Sequence, residues 1–424
     1  MFSKLYQPIV LILFVIGSFG IGQLLWRRKV FKDIAEEFIT CSATGLFVYS
    51  MFILFLGLVG ALSRILICIL FISSVIIAVR PVFAFLSRAY RTRKHPWKAP
   101  TYFFMILGFC AAFILFLLCY RKELETDAFM YHISAPKAWL FDGAIRAIPF
   151  NMHSQFHFLI QMMNLWILAL PGTTLVLVKL LQWYYGVLLS GTAFLYGKRF
   201  ASHRIGLSAM CVVFMAMEVS QVVRGALIDV GVGLYVALGI YYFTKGAVRN
   251  RKANCLYAGL FWGMAYGAKN TGIIFFTATA LAFLTLPLID RRERIQDWIK
   301  AALSAGAVMI VLTLPWFLKN AFFTGNPFYP FLLKYFPTRW DYAVMAQGFS
   351  RYYSGFRGYS APFGVLLHIR DEIGLFIHNI SYIGANAMAV FMLLGLLFLL
   401  LRRTSLTRSL RFLILAGIFT VPCM

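Results

Sequence analysis

Runs of about 20 apolar residues recur along the whole chain, and a run of that length is what an α-helix needs to cross the hydrocarbon of a bilayer. They fall at 8–26, 41–62, 65–86, 101–120, 175–196, 205–217, 230–244, 254–268, 271–289, 301–318 and 380–401, with a shorter stretch at 412–424. Of the 424 residues 61% are apolar and 13% charged, where a soluble domain carries about a quarter charged residues. A soluble globule, a disordered tail and a secreted disulfide scaffold are thereby excluded. The expected fold is an all-α, polytopic transmembrane helix bundle of about 11–12 spans, with two long outer loops bearing interfacial helices.

The net charge of +25 would point a soluble protein toward nucleic acid, but here the 40 Lys and Arg gather in short clusters between apolar runs, as cytoplasmic loops do. No nucleic-acid partner is expected. All seven cysteines, Cys41, Cys68, Cys110, Cys119, Cys211, Cys255 and Cys423, lie in or beside apolar segments without the spacing of a zinc or redox pair. Neither disulfides nor a cysteine-bound metal is expected. The first run is followed by Arg27, Arg28 and Lys29 rather than by a small-residue cleavage site, which reads as a retained anchor.

If the loop 88–98 is cytoplasmic, alternation puts 27–40, 80–98, 198–204, 245–252, 291–300 and 402–411 inside, and these hold 25 of the 40 Lys and Arg. Fourteen more lie in outer segments about twice as long, and Lys179 lies within a span. This bias requires that 154–170, although apolar, does not cross; it reads instead as a helix at the outer membrane surface, ended by Pro171 and Gly172. The outer face then carries two long loops, 121–174 and 319–379. The stretch 412–424 supplies 13 residues where a span needs about 20, which predicts either a longer gene product or an unstable protein of this length.

Nine of the fifteen carboxylates fall outside or at the outer boundary: Glu123, Glu125, Asp127, Asp142, Glu218, Asp229, Asp341, Asp371 and Glu372. Glu125 and Asp127, two residues apart just beyond a span, suit a general base or a divalent-cation site, and they equally suit a solvated acidic turn. Asp229 opens a span, where it is either functional or a helix-start residue favoured by the dipole. Lys269, in a tight outer turn, is placed to neutralise a phosphate or to snorkel. His153 and His157 have the spacing of one helix face, but no glutamate lies between them to complete a zinc-protease motif. In the second loop Gly325, Asn326 and Pro327 mark a rigid turn, and arginines alternate with aromatic residues over 339–359, a pattern that suits sugars, phosphates or lipid headgroups.

Taken together, these residues over 101–401 resemble the GT-C superfamily of polytopic glycosyltransferases, bacterial relatives of lipid A aminoarabinose transferases and protein O-mannosyltransferases. The matching features are Glu125-Thr126-Asp127 after a span, the basic inner loop at Lys198-Arg199-Phe200, Asp229 at the next outer turn, the turn Gly267-Ala268-Lys269-Asn270-Thr271-Gly272, and Gly325-Asn326-Pro327-Phe328-Tyr329-Pro330. The chain departs from the family in a three-span extension at 1–100 and in ending within an apolar stretch, 402–424 forming an inner loop and part of a span.

The resemblance implies a membrane glycosyltransferase that moves a hexose or pentose from a polyprenyl-phosphate donor to a lipid or glycan acceptor, with inversion, at the outer face of a bacterial cytoplasmic membrane. Asp127 would be the general base with Glu125 beside it. Lys137, Arg224, Lys269 and Arg357 would take the donor phosphate, while Asp229, His132 and His153 would position the acceptor or an ion. No cofactor is implied with certainty, and a divalent cation stays open. Two other readings compete: a secondary transporter of a small solute or lipid, for which no repeat is found and only Lys179 lies within a span, and a non-catalytic envelope assembly subunit.

Overall fold

The apolar runs fold as helices. The computed structural model of the chain describes residues 2–26, 30–31, 33–91, 99–148, 151–248, 251–277, 279–280, 295–333 and 335–355. Among them every regular element is helical: α1 (Phe2–Leu25), α2 (Ile34–Leu58), α3 (Arg64–Arg91), α4 (Ala99–Leu118), α5 (Ser134–Asp142), α6 (Leu159–Ala169), α7 (Leu175–Phe200), α8 (His203–Met215), α9 (Met217–Arg224), α10 (Asp229–Val248), α11 (Arg251–Ala268), α12 (Ile295–Thr324) and α13 (Trp340–Gly355). A π-turn at Ala128–His132, a 3-10 turn at Met152–Gln155 and helical residues at 272–277 and 279–280 add to these. The runs 380–401 and 412–424, the inner segment 402–411, most of 271–289 and Arg357 lie outside the described residues.

Among the described residues six helical segments are long and apolar enough to cross a membrane: Leu5–Leu25, Ile34–Leu58, Arg64–Arg91, Thr101–Leu118, Leu175–Phe200 and Ile295–Thr324. The runs 205–217, 230–244 and 254–268 fall on α8, α10 and α11, helices of 13, 20 and 18 residues. Helix starts follow the sequence chemistry. The side chains of Asp33, Thr174 and Ser202 cap α2, α7 and α8, accepting from the amides of Ala35, Val176 and Ile205, and so satisfy donors that have no partner within the helix. At the other end Gly143 follows α5 with φ of +68°, a conformation that side chains with a Cβ rarely adopt.

The chain divides into two compact units. The first comprises Met1–Ile148, His157–Tyr241 and Met264–Asn270; the second comprises Pro149–Phe156, Tyr242–Gly263 and the described residues from Thr271 onward. In the first unit α1 packs on α2 and α3, α2 on α6 and α7, and α8 on α4 and α7. The α1–α2 contact is a close backbone approach: a Cβ on Gly45 would lie 1.7 Å from the Ser18 carbonyl oxygen. Lipid tails are as apolar as leucine, so helices in a bilayer gain from such small-residue contacts rather than from leaving water.

One end of this unit is held by charge. Arg88 of α3 makes a two-pronged bond with the buried carboxylate of Glu37, which also accepts from the Gln23 side-chain amide, and Lys198 of α7 pairs with Asp33. The opposite end is held by amides. Gln7 bonds the Gly172 carbonyl and the Thr174 amide, and the amide of Ile145 donates to the Gly57 carbonyl, docking the segment after α5 onto the end of α2.

The apolar stretch 154–170 divides in two, a 3-10 turn at Met152–Gln155 and the 11-residue α6, which at about 1.5 Å per residue is roughly half a bilayer core. Every residue of α6 except Leu168 is buried. Its Trp166 indole donates to the Tyr49 carbonyl at 2.8 Å and packs with Tyr49 and Phe71, while its polar residues Gln161 and Asn164 face His132. Although the helix is enclosed on all sides, the NH₂ group of each of these two amides finds a partner inside the protein.

In the second unit α11 and α12 also approach at backbone distance, a Cβ on Gly259 lying 2.3 Å from the Ala305 carbonyl oxygen. Beyond α12 the turn at Gly325 (φ +78°) is fastened by Asn326, whose side chain donates to the Phe331 carbonyl and accepts from the Phe328 amide, and the Tyr329–Pro330 peptide is cis.

Candidate functional site

The first loop begins where α4 unwinds after Leu118. Its placement comes from Glu123, which is 7% exposed. One carboxylate oxygen accepts from the amides of Leu124 and Glu125, both at 3.1 Å, and the other accepts from the amide of Ala226 at 3.0 Å. Cys119 adds a bond to the Val223 carbonyl, so the end of α4 is tied to the end of α9. Glu125, itself exposed, then lies against Gly225, where a Cβ would sit 2.9 Å from the Glu125 Cγ.

Asp127 is exposed and directly precedes the π-turn, a distortion that is frequent at functional sites. Its carboxylate accepts from the Tyr131 hydroxyl at 3.2 Å. The next residue, His132, is buried, with its ring 4.1 Å from that of Tyr131, its Nδ1 bonded to the Gln161 amide at 3.0 Å and its carbonyl accepting from Asn164. His132 therefore anchors the turn in the protein interior.

Asp229 opens α10 as the sequence indicates, and its carboxylate meets the Lys269 ammonium at 2.5 Å. Nearby backbone is held by His157, whose Nδ1 lies 2.7 Å from the Tyr266 carbonyl oxygen, one turn before Lys269. Arg224 turns back along its own helix and donates to the Ser220 carbonyl, and Lys137 is exposed on α5. Thus the first unit gathers Glu123, Glu125, the 225–229 turn and Lys269 into one connected set, and Asp127 follows two residues after Glu125. Among the described residues no three His, Cys, Asp or Glu side chains converge as a metal site.

His153 belongs to the second unit and packs edge-on against Phe156. Because Met152–Gln155 is a single 3-10 turn followed by an extended Phe156, no α-helical face carries both His153 and His157. The same unit has a buried polar core that the sequence pattern did not single out. The Lys319 ammonium, 2% exposed, donates to the carbonyls of Ser154 and Phe156 and sits over the Trp316 ring. The Gln155 side-chain amide bonds the Tyr342 hydroxyl, and the Tyr329 hydroxyl donates to the Tyr342 carbonyl. Burial pushes both tyrosine hydroxyls above their ordinary pKa, so they remain donors. Arg339 pairs with Asp341 at 3.0 Å and lies over Tyr342.

The sequence pattern gives Glu123 and Lys319 no distinct role and marks Lys179 only as a charge within a span. Spacing does not separate Glu123 from its neighbour Glu125. For the two lysines the available signal was a charge inside or at the edge of an apolar run.

A groove of about 580 Å³ runs along α4, α7 and α8, lined only by apolar residues that include Met105, Phe109, Phe116, Trp183, Phe194 and Phe214. Compared with known protein families, with curated proteins and with solved structures, the chain matches none of them.

Proposed function

We propose that the protein is an integral membrane glycosyltransferase of the GT-C type, moving a sugar from a polyprenyl-phosphate donor to a lipid or glycan acceptor at the outer face of a bacterial inner membrane. The observation that carries this reading is the neighbourhood of a long apolar groove and a carboxylate-bearing loop. Along α4 the groove extends from Met105 to Phe116, about 16 Å at helical rise, and the chain leaves that helix into Arg121, Lys122, Glu123, Glu125 and Asp127. Such a slot suits a hydrocarbon chain, with the polar head of the same molecule at the loop.

In this reading Asp127 takes the proton of the acceptor hydroxyl as it attacks the anomeric carbon, and the phosphate leaves from the opposite face. Its exposure leaves the carboxylate open to an acceptor, and the Tyr131 hydroxyl orients it. Lys269 and Lys137 are the cations available to the departing phosphate among the described candidates, Arg224 being turned toward its own helix. Glu125 and Asp229 are the carboxylates left to position the acceptor or to meet a divalent cation. The reaction as written is routed through neither role.

A secondary transporter is the second reading, favoured by Lys179, a lysine 1% exposed within α7. One preparation separates the two. Purified protein in liposomes, supplied with polyprenyl-phosphate sugars, is expected to transfer sugar to lipid or glycan acceptors and to retain a lipid-linked donor identifiable by mass spectrometry. Movement of a solute across the liposome with no sugar transfer decides for the transporter.

A further inference from the structure

Two buried opposite charges, neither of them reached by a reacting group in the proposed chemistry, grip neighbouring stretches of backbone at the entrance of the first loop. On one side the Lys179 ammonium, on α7, donates to the carbonyl of Arg121. On the other the Glu123 carboxylate accepts from the amides of Leu124, Glu125 and Ala226. Both side chains lie near the buried Cys119. Among the described residues Lys179 has no carboxylate within ion-pair distance, so its charge is spent on the loop backbone.

We infer that Glu123 and Lys179 are positioning residues that together set the geometry of Glu125, Asp127 and the 225–229 turn. Three amide hydrogens, two on one oxygen and one on the other, suit a carboxylate, whose two oxygens both accept. A glutamine at 123 keeps the shape but turns an NH₂ toward one of those N–H groups, leaving donor against donor. The carbonyl at 121 needs the reverse, a donor reaching in from the membrane helix, and an arginine at 179 still provides one whereas a methionine does not. Resting on the glycosyltransferase reading, the consequence for catalysis is that displacing this loop misplaces the base without removing it, which lowers turnover rather than donor affinity.

The test is amide hydrogen exchange on the full-length protein in nanodiscs, followed by transfer kinetics on the same samples. In Glu123→Gln and in Lys179→Met, exchange over 121–130 and 225–229 is expected to accelerate about 10-fold or more while the interior of α7 keeps parental protection. Lys179→Arg is expected to retain the parental pattern. For the two disruptive variants kcat should fall about 10-fold with the donor KM within about 3-fold of the parent. Parental exchange over 121–130 and 225–229 in Glu123→Gln overturns the inference, and so does loss of protection throughout α7 in both disruptive variants, which would make the pair ordinary core residues. Accelerated exchange with unchanged kcat also overturns it. Should the parent itself transfer no sugar, the glycosyltransferase reading fails, while the exchange pattern still decides whether the two charges hold the loop.

Discussion

Asp229, the first residue of α10, and Lys269, in the turn after α11, meet in a 2.5 Å ion pair across 40 residues of sequence. The resemblance to GT-C enzymes implies a different partner for each, an acceptor or ion for the carboxylate and a phosphate for the lysine. In the folded protein they answer each other. Their side chains are 45% and 41% exposed, so water screens much of the attraction.

From that exposure, a double-mutant cycle on Asp229→Asn and Lys269→Gln is expected to give a coupling of about 0.2–1 kcal/mol in unfolding. Reversible unfolding in detergent measures it. A coupling of several kcal/mol would mean the pair is shielded from solvent.

The chemical proposal makes its sharpest demand on Asp127. Asp127→Asn keeps the shape and removes the proton acceptor, so turnover should fall by a factor of roughly a hundred or more with donor binding preserved. Asp142, exposed at the end of α5, is the control, and Asp142→Asn should stay within a few-fold of the parent. Parental turnover in the Asp127 variant would remove it as the base.

Gly225 offers a steric test. Its backbone is extended, with φ −92° and ψ 169°, so an alanine is not strained there. Its Cβ would nevertheless press on the Glu125 Cγ at 2.9 Å. Gly225→Ala is expected to leave the unfolding midpoint within a few degrees of the parent while reducing transfer, because the side chain that must move is Glu125. Full activity in this variant would show that the position of Glu125 does not matter to the reaction.

At the other end of the first unit, Glu37 is buried and bonded to both Arg88 and Gln23. Removing one partner strands a charge, so Arg88→Met alone should cost about 3–5 kcal/mol of stability, and adding Glu37→Gln should recover part of it. Equal stability of the single and double variants would mean that water already reaches Glu37.

Orientation in the membrane can be read by thiol labelling in a background without native cysteines. Cysteines introduced at His95, Lys252 and Arg292 are expected to label from the cytoplasm, and those at Asp142, Thr173 and Tyr342 from outside. Cytoplasmic labelling at position 173 would reverse the assignment of both long loops.

Much of the architecture was legible in the residues because it depends on local composition. An apolar run of about 20 residues has few alternatives to a helix in a bilayer, since its backbone must bond within itself. Local too were the start of α10 at Asp229 and the turns at Gly143 and Gly172. The resemblance to GT-C enzymes pointed to Glu125 and Asp127 and passed over Glu123, because the difference between adjacent carboxylates lies in what surrounds them.

The surroundings are long-range. Glu123 is a clamp because the Ala226 amide, 103 residues later, points at it. His132 became an anchor because Gln161 and Asn164 on α6 reach its ring and its carbonyl, and α6 is enclosed because α2 and α3 present Tyr49 and Phe71 to Trp166. Hydropathy and charge bias act residue by residue along the chain and set which segments are helices and which loops are basic. A hydrogen bond has a direction and a reach of about 3 Å, so which polar side chain serves the fold and which stays open to a substrate was settled only when distant helices came together.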